Sequence, residues 1–545
     1  MDIWNFDPSG PMMPMMPMSL TQVCSREAIA LPELQGAEIL EMTVAQVRSY
    51  STSTGEVWDT DPLDIAGLDV CNLTVTYTHP KWNDTIHVET WLPLSGWNGR
   101  FQASGGGGWV TGSTQGLAIR ASQGYAVSTT DGGHAADSHP DEWALNLDGS
   151  VNLHLLEDFA SLALHELAVI GKSITTSFYG TPPAYSYWNG CSTGGRQGLM
   201  VAQRFPDDFD GIVAAAPAIN WASFIPAEFW PQLLMNQMNV YPELCEFNAL
   251  RDAAIQACDG LDGVRDRVLS APAACEFDPL SVVGQPYDCN GVLRTITKEA
   301  AILAYQIWKG PVGPDQSQRW HGMNYDASFS LLPRVECNTH EGVKRCSGLP
   351  FTVCEEWLRL FVLNDREFDL ATLSFEQYDA LFDESKTKYD HIIGTADSDL
   401  SGFRAAGGKM ITWHGLADEA IFANGTSDYY QKVLERDPSA AEFYRYFEAP
   451  GVAHCRASSS SAPYPQDVLE SLIAWVEEGR APETLRAEWK DPATQSTLMR
   501  RELCQWPLVA RYVGGDITQA TSFTYRLTTV LGAYQNTFED GLHMN

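Results

Sequence analysis

Short apolar runs that end in turns bearing Gly, Pro or Asp recur at residues 125–129 before Asp131, 185–188 before Gly190 and 212–215 before Pro217, with longer helical stretches between them. A run that is apolar at successive positions is buried on both faces, as happens to strands sandwiched between helices in a parallel sheet. The rhythm returns at residues 410–413 and 443–447. Between about 219 and 395 it is lost; that segment instead holds seven of the twelve cysteines, several tryptophans and few alternating strands. The expectation is an α/β fold whose sheet is built from two separated pieces of chain, 1–218 and 396–545, with a domain inserted at 219–395. Upstream, residues 69–93 alternate apolar and polar positions, with Val75, Tyr77, Ile86, Val88 and Leu92 on one side of each strand, and predict a β-hairpin.

Charge narrows the partners. Thirty-five basic against 69 acidic residues leave a net charge of −34, which repels nucleic acid and anionic membranes and suits neutral, cationic or metallic partners, or solubility alone. No run of 18 apolar residues is present, so no membrane span is expected. The cysteines lack the repeated pair spacing of zinc sites and point to disulfides. Together with sequons at Asn72, Asn83 and Asn424, they imply a secretory, extracellular protein. Residues 1–19 carry Asp2, Asp7 and several prolines where a signal peptide needs an unbroken apolar stretch, so either a leader is missing from this N-terminus, the reading the cysteines and sequons favour, or the protein is not exported.

The run at 185–188 leads into Asn189-Gly190-Cys191-Ser192-Thr193-Gly194-Gly195-Arg196 and then an apolar helical segment. Glycines two residues either side of a serine, on a strand-to-helix turn, allow a strained elbow that leaves Ser192 Oγ exposed as a nucleophile. The bland alternative is a glycine-rich start to a helix. An attacking alkoxide also needs donors for the oxyanion, and the glycine loop at 105–108, following a predicted strand, resembles the oxyanion loops of esterases. A flexible turn is the other reading, and no Gly-Lys-Ser/Thr follows to suggest a phosphate loop.

In this fold class the triad order is Ser, acid, His. His454 follows the run at 443–447 and Asp418 follows the run at 410–413, both where strands end and sites form. Cys191 precedes Ser192 and Cys455 follows His454, so a bond between them would hold nucleophile and base side by side. Closing so long a loop would also constrain the unfolded chain by roughly 5 kcal/mol. Without that bond the two are buried apolar residues.

Gly190-Cys191-Ser192-Thr193-Gly194-Gly195-Arg196-Gln197-Gly198 paired with His454-Cys455 resembles the tannase and feruloyl esterase family. Agreement extends through Trp97-Asn98-Gly99-Arg100-Phe101, Thr130-Asp131-Gly132-Gly133-His134 and His414-Gly415-Leu416-Ala417-Asp418, covering about Cys24 to Asp516. The resemblance implies an α/β-hydrolase core with a large inserted lid, a Ser192–Asp418–His454 triad, and oxyanion amides from Gly106 and Thr193. It also implies a structural calcium held by the side chains of Asp259, Asp262 and Asp266 and the carbonyls of Val264 and Val268. Three carboxylates so close together do need a hard cation or solvent, although Arg265 and Arg267 lower the charge of this loop. Cys24–Cys71, Cys191–Cys455 and Cys258–Cys275 follow the family; Cys504 lacks its usual downstream partner, and the pairing of Cys245, Cys289, Cys337, Cys346, Cys354 and Cys504 stays open.

The function so implied is release of hydroxycinnamic, feruloyl-type acids from small aromatic or plant polysaccharide esters. The alternatives are a tannase acting on galloyl esters and a non-catalytic, calcium-stabilised binding protein of the same fold. Trp221, Trp230, Trp357 and Phe361 are candidates for an aromatic slot, each with core packing as its plainer role.

Overall fold

The protein is described by a computed structural model covering residues 23–55, 58–340, 343–457, 460, 462–491 and 493–527. The N-terminal stretch read for a leader lies outside the described residues. Nine strands form one sheet: β1 (Glu38–Ser53), β2 (Asp64–Thr78), β3 (Ile86–Pro93), β4 (Arg100–Ser104), β5 (Ala126–Thr130), β6 (Tyr185–Cys191), β7 (Gly211–Ala215), β8 (Lys409–Gly415) and β9 (Tyr444–Ala449). Their order is β1-β2-β3-β5-β4-β6-β7-β8-β9. From β5 to β9 all neighbours are parallel, whereas β1, β2 and β3 add an antiparallel flank. The five apolar runs are β5 to β9 apart from β4, and β5 and β7 are buried at every position. Helices at Ala163–Tyr179, Thr193–Arg204 and Val468–Glu478 pack against this part of the sheet. The expected hairpin is β2–β3, with Val75 opposite Val88 and Tyr77 opposite Ile86.

β1 was not legible in sequence. It is a long edge strand with a single buried residue, Met42, so its apolar side chains keep no clear alternation. The small C-terminal sheet of Tyr464–Pro465, Thr484–Lys490 and Thr497–Cys504, which buries Leu485, Ala487, Met499 and Leu503, was not read from the sequence either.

Between β7 and β8 the chain folds into helices, among them Trp221–Glu228, Trp230–Met238, Leu244–Cys258, Lys298–Lys309 and Phe375–Ile393, with hairpins Pro286–Cys289/Val292–Thr295 and Val335–His340/Val343–Gly348. Its apolar core is continuous with the rest of the molecule. Trp221, Leu233, Trp357 and Phe361 pack in one cluster with Trp109, Trp143 and Phe159 from before β6 and with Ile421 from after β8. A fully buried tryptophan in such a cluster is worth on the order of 3–5 kcal/mol relative to alanine, so the helices between β7 and β8 are packed firmly against the rest of the molecule.

Disulfides join Cys24 to Cys71, Cys191 to Cys455, Cys245 to Cys289, Cys258 to Cys275 and Cys337 to Cys346, leaving Cys354 and Cys504 as buried thiols. Among the described residues no helix is long and apolar enough to cross a membrane. Of the sequon asparagines only Asn83 is exposed: Asn72 is half-buried within β2, and Asn424 is half-buried beside the fully covered Thr426.

Candidate active site

Ser192 sits between β6 and the helix Thr193–Arg204 with φ +64° and ψ −124°, a conformation that costs a side-chain-bearing residue about 1–3 kcal/mol. The flanking glycines make the turn possible. A Cβ on Gly190 would lie 2.5 Å from the carbonyl carbon of Gly194, and one on Gly195 would lie 2.3 Å from the Ala215 carbonyl oxygen. The end of β7 clamps the turn: Ser192 N–H donates to Ala215 at 3.1 Å, and the Ser192 carbonyl accepts from the Ala218 N–H at 3.1 Å.

Two loops bring the partners. His454, after β9, places Nε2 3.0 Å from Ser192 Oγ and Nδ1 2.7 Å from Asp418 Oδ2. Asp418, after β8, is fully buried; its Oδ1 accepts from the backbone N–H groups of Ala420 and Ile421, each at 2.8 Å. A second imidazole, His414, lies on the same Oδ2 at 3.1 Å and is fixed from behind by Thr426 Oγ1 at 2.8 Å. Burial works to raise the Asp418 pKa, but the charge of His454 and the hydrogen bonds from both imidazoles outweigh it, so the carboxyl stays ionised. For His454 burial opposes charging, and Asp418 overcomes it, leaving the imidazole more basic than usual. With Nδ1–H donated to Asp418, Nε2 is left to accept the serine proton. Glu419 accepts the His454 N–H at 3.1 Å and is raised by burial and by Asp418.

The glycine loop lies against the elbow. Gly194 N–H donates to the Gly106 carbonyl at 3.0 Å, and Thr193 Oγ1 donates to the Gly108 carbonyl at 2.7 Å. Gly106 N–H donates to Gln197 Oε1 at 3.2 Å, and Gln197 Nε2 donates to the Thr111 carbonyl at 2.9 Å. Gln197 therefore spans helix and loop and fixes where the Gly106 amide stands.

Ser192, Thr193, Gly106 and His454 open on a cavity of about 650 Å³, large enough for a drug-sized ligand. Of the four aromatic candidates only Trp221 lines it. Trp230 packs on Phe375 and Tyr378, while Trp357 and Phe361 are fully buried and stack towards Trp109. The apolar walls come instead from Phe224, Ile225, Leu331, Phe351 and Val353. Glu228 also lines the cavity; it is 2% exposed, its Oε2 has no hydrogen-bond partner, and burial first, then the Asp418 charge, raises its pKa and favours the protonated carboxyl. Nothing in the sequence pattern marked Glu228, because its environment is made by elements distant along the chain.

The acidic loop lies apart from the cavity and is closed by Cys258–Cys275. One oxygen of Asp259, Asp262 and Asp266 is capped by backbone N–H groups within the loop. Asp262 Oδ2 accepts from Ser270 Oγ at 2.6 Å, and Asp266 Oδ2 accepts from Arg501 at 2.7 Å. Arg267 pairs outward with Asp252 at 3.2 Å. The cation that shares this loop's charge is thus Arg501, from a strand far along the chain. The donor set is oxygen-only, with Asp259 and Asp262 buried, which fits a hard cation.

The family model described as tannase and feruloyl esterase matches residues 71–525. A protein named "Probable feruloyl esterase" from Arthroderma benhamiae is 42% identical over 91% of this chain and 92% of its own. The tannin acyl hydrolase from Aspergillus niger superposes with a TM-score of 0.83 at 26% identity, covering 95% of this chain and 97% of its own. Feruloyl esterase B from Aspergillus oryzae superposes at 0.74 with 27% identity, covering 91% and 97%. The fold shared with these structures is of the α/β-hydrolase type, and the chain belongs to the tannase and feruloyl esterase family of carboxylic ester hydrolases.

Proposed function

We propose that this chain releases phenolic aromatic acids, hydroxycinnamic acids of the feruloyl type foremost, from small or polysaccharide-borne esters. The observation that carries the reading is the unbroken hydrogen-bonded line from Asp418 through His454 to Ser192, opening on a cavity partly walled by Phe224, Ile225, Phe351 and Val353 with the buried Glu228 carboxyl among its lining. In this reading Ser192 Oγ attacks the ester carbonyl while His454 Nε2 takes its proton and passes it to the leaving alcohol. Water, activated by the same imidazole, then frees the acid. Asp418 keeps the imidazole oriented and balances its transient charge. The Thr193 amide, at the start of its helix, serves the developing oxyanion, and the Gly106 N–H joins it only by leaving Gln197 Oε1, to which it donates in this structure. Residues 219–395 act as the lid, contributing Trp221, Phe224, Phe351 and Glu228 to the acyl pocket.

A neutral carboxyl can both donate to and accept from a ring hydroxyl, so Glu228 is assigned to the phenolic end of the substrate. Replacing it with leucine is expected to weaken kcat/KM for methyl ferulate and methyl caffeate about tenfold and to leave methyl cinnamate, which lacks ring substituents, nearly unchanged. Equal losses on all three would remove that assignment. A galloyl preference is the second reading, favoured by the high superposition on the tannin acyl hydrolase. A panel of methyl ferulate, caffeate and gallate separates the two; faster turnover of gallate would move the substrate class.

The acidic loop is proposed to hold a structural calcium through Asp259, Asp262 and Asp266 and the carbonyls of Val264 and Val268, supplying charge balance to the lid and no step of the reaction. Chelation is expected to lower the unfolding midpoint by a few degrees, on the order of 2 kcal/mol at saturating ion, with recovery on adding calcium and no such difference in Asp262→Asn. A midpoint indifferent to chelator would exclude the ion. Five disulfides and the exposed Asn83 support a secreted, glycosylated protein.

A further inference from the structure

Where the β2–β3 hairpin meets the helical segment before β6, four ionisable side chains are buried together. His79 follows β2, Asp84 lies in the turn to β3, Asp158 opens the π-helical turn Asp158–Leu162, and Glu166 belongs to Ala163–Tyr179. Their exposures are 5%, 5%, 0% and 3%. His79 Nδ1 lies 2.5 Å from Asp84 Oδ2 and 3.8 Å from Asp158 Oδ1, and one ligating atom from each of the three lies within 4.8 Å of the others.

The surroundings orient these groups. His79 Nε2 is 2.8 Å from Glu166 Oε1, and the other Glu166 oxygen accepts from the Tyr77 hydroxyl at 2.7 Å. Asp84 Oδ1 accepts from the His79 N–H and the Thr78 hydroxyl, both at 2.8 Å. Asp158 stands in contrast: wholly buried and facing His79, it has no hydrogen-bond partner on either oxygen. A carboxyl so placed, left ionised and unpaired, costs several kcal/mol, and a bound cation removes that cost.

We propose that His79 Nδ1, Asp84 and Asp158 form a divalent transition-metal site, of the kind that takes zinc, separate from the acidic loop at 259–268. One imidazole nitrogen and two carboxylates suit zinc better than calcium, which prefers oxygen alone. A metal-bound imidazole is ordinarily backed through its second nitrogen by a carboxylate, the place Glu166 occupies. A cation here ties the β2–β3 hairpin to the turn at 158–162. Arg196 of the nucleophile helix donates to the Phe159 and Ala160 carbonyls of that turn at 3.1 and 2.9 Å.

The test uses the full chain, stripped with chelator, reloaded with calcium and titrated with zinc, and with cobalt for its visible absorption. One tight equivalent beyond calcium is expected. Asp158→Asn, nearly the same shape, should lose it, Glu166→Gln should weaken it about 10–100-fold, and Asp262→Asn should keep it. Circular dichroism reports whether each variant folds. Wild-type protein taking up no such equivalent, or a folded Asp158→Asn binding zinc as tightly as wild type, would overturn the site and leave Asp158 as a protonated carboxyl.

Discussion

Ser192→Ala should hydrolyse methyl ferulate about 10⁴–10⁶-fold more slowly than the unaltered chain, with a folding stability within about 1 kcal/mol of it. The two halves of this expectation have separate causes. The hydroxyl is the group 3.0 Å from His454 Nε2, so deleting it removes the attacking atom while leaving the imidazole in place. The backbone at φ +64° is imposed by the packing of Gly190 and Gly195 against neighbouring main chain, and alanine meets the same strain as serine. Folding therefore changes only by the lost hydroxyl contact. Release of ferulic acid measured by chromatography on matched protein settles the matter: residual turnover above about 1% would place the nucleophile elsewhere.

Asp418→Asn should lower kcat/KM about 10³–10⁴-fold and move the rising limb of its pH profile to lower pH. The Asp418 Oδ1 atom is already committed to the Ala420 and Ile421 N–H groups, an arrangement asparagine keeps with its own oxygen. Its NH₂ then faces His454 Nδ1 and His414 Nε2. Both imidazoles must turn acceptor nitrogens towards it, and the His454 proton moves to Nε2, where it faces Ser192 and no base remains. The sign of the pH shift follows from charge. Burial alone would depress the His454 pKa and the Asp418 charge overcomes it; removing that charge lowers the pKa, so the imidazole becomes neutral at lower pH than before. A limb that stays in place would assign the titration to another group.

How much of this was visible in the sequence depended on whether chemistry or distance set each residue. The elbow was legible because a serine at positive φ needs small residues around it, and β5 to β9, apart from β4, were legible because strands covered on both faces leave unbroken apolar runs. β1 escaped because an edge strand with one buried position has no pattern to read. The lining of the cavity escaped for another reason. Trp221, Trp357 and Phe361 look alike as letters, yet one lines the cavity and two fill the core, a difference made by helices joined only through the fold. Gln197, Glu228 and Arg501 likewise gain their roles from contacts with remote segments, to which no local spacing points.

The bond between Cys191 and Cys455 closes 264 positions of sequence into a covalent ring that contains the whole inserted layer. A protease that nicks the backbone once within that ring opens it without releasing either end. The serine and the imidazole would remain fragments of one molecule, parting on a gel only after reduction. Cleavage of the chain between β7 and β8 is in this way uncoupled from separation of Ser192 and His454.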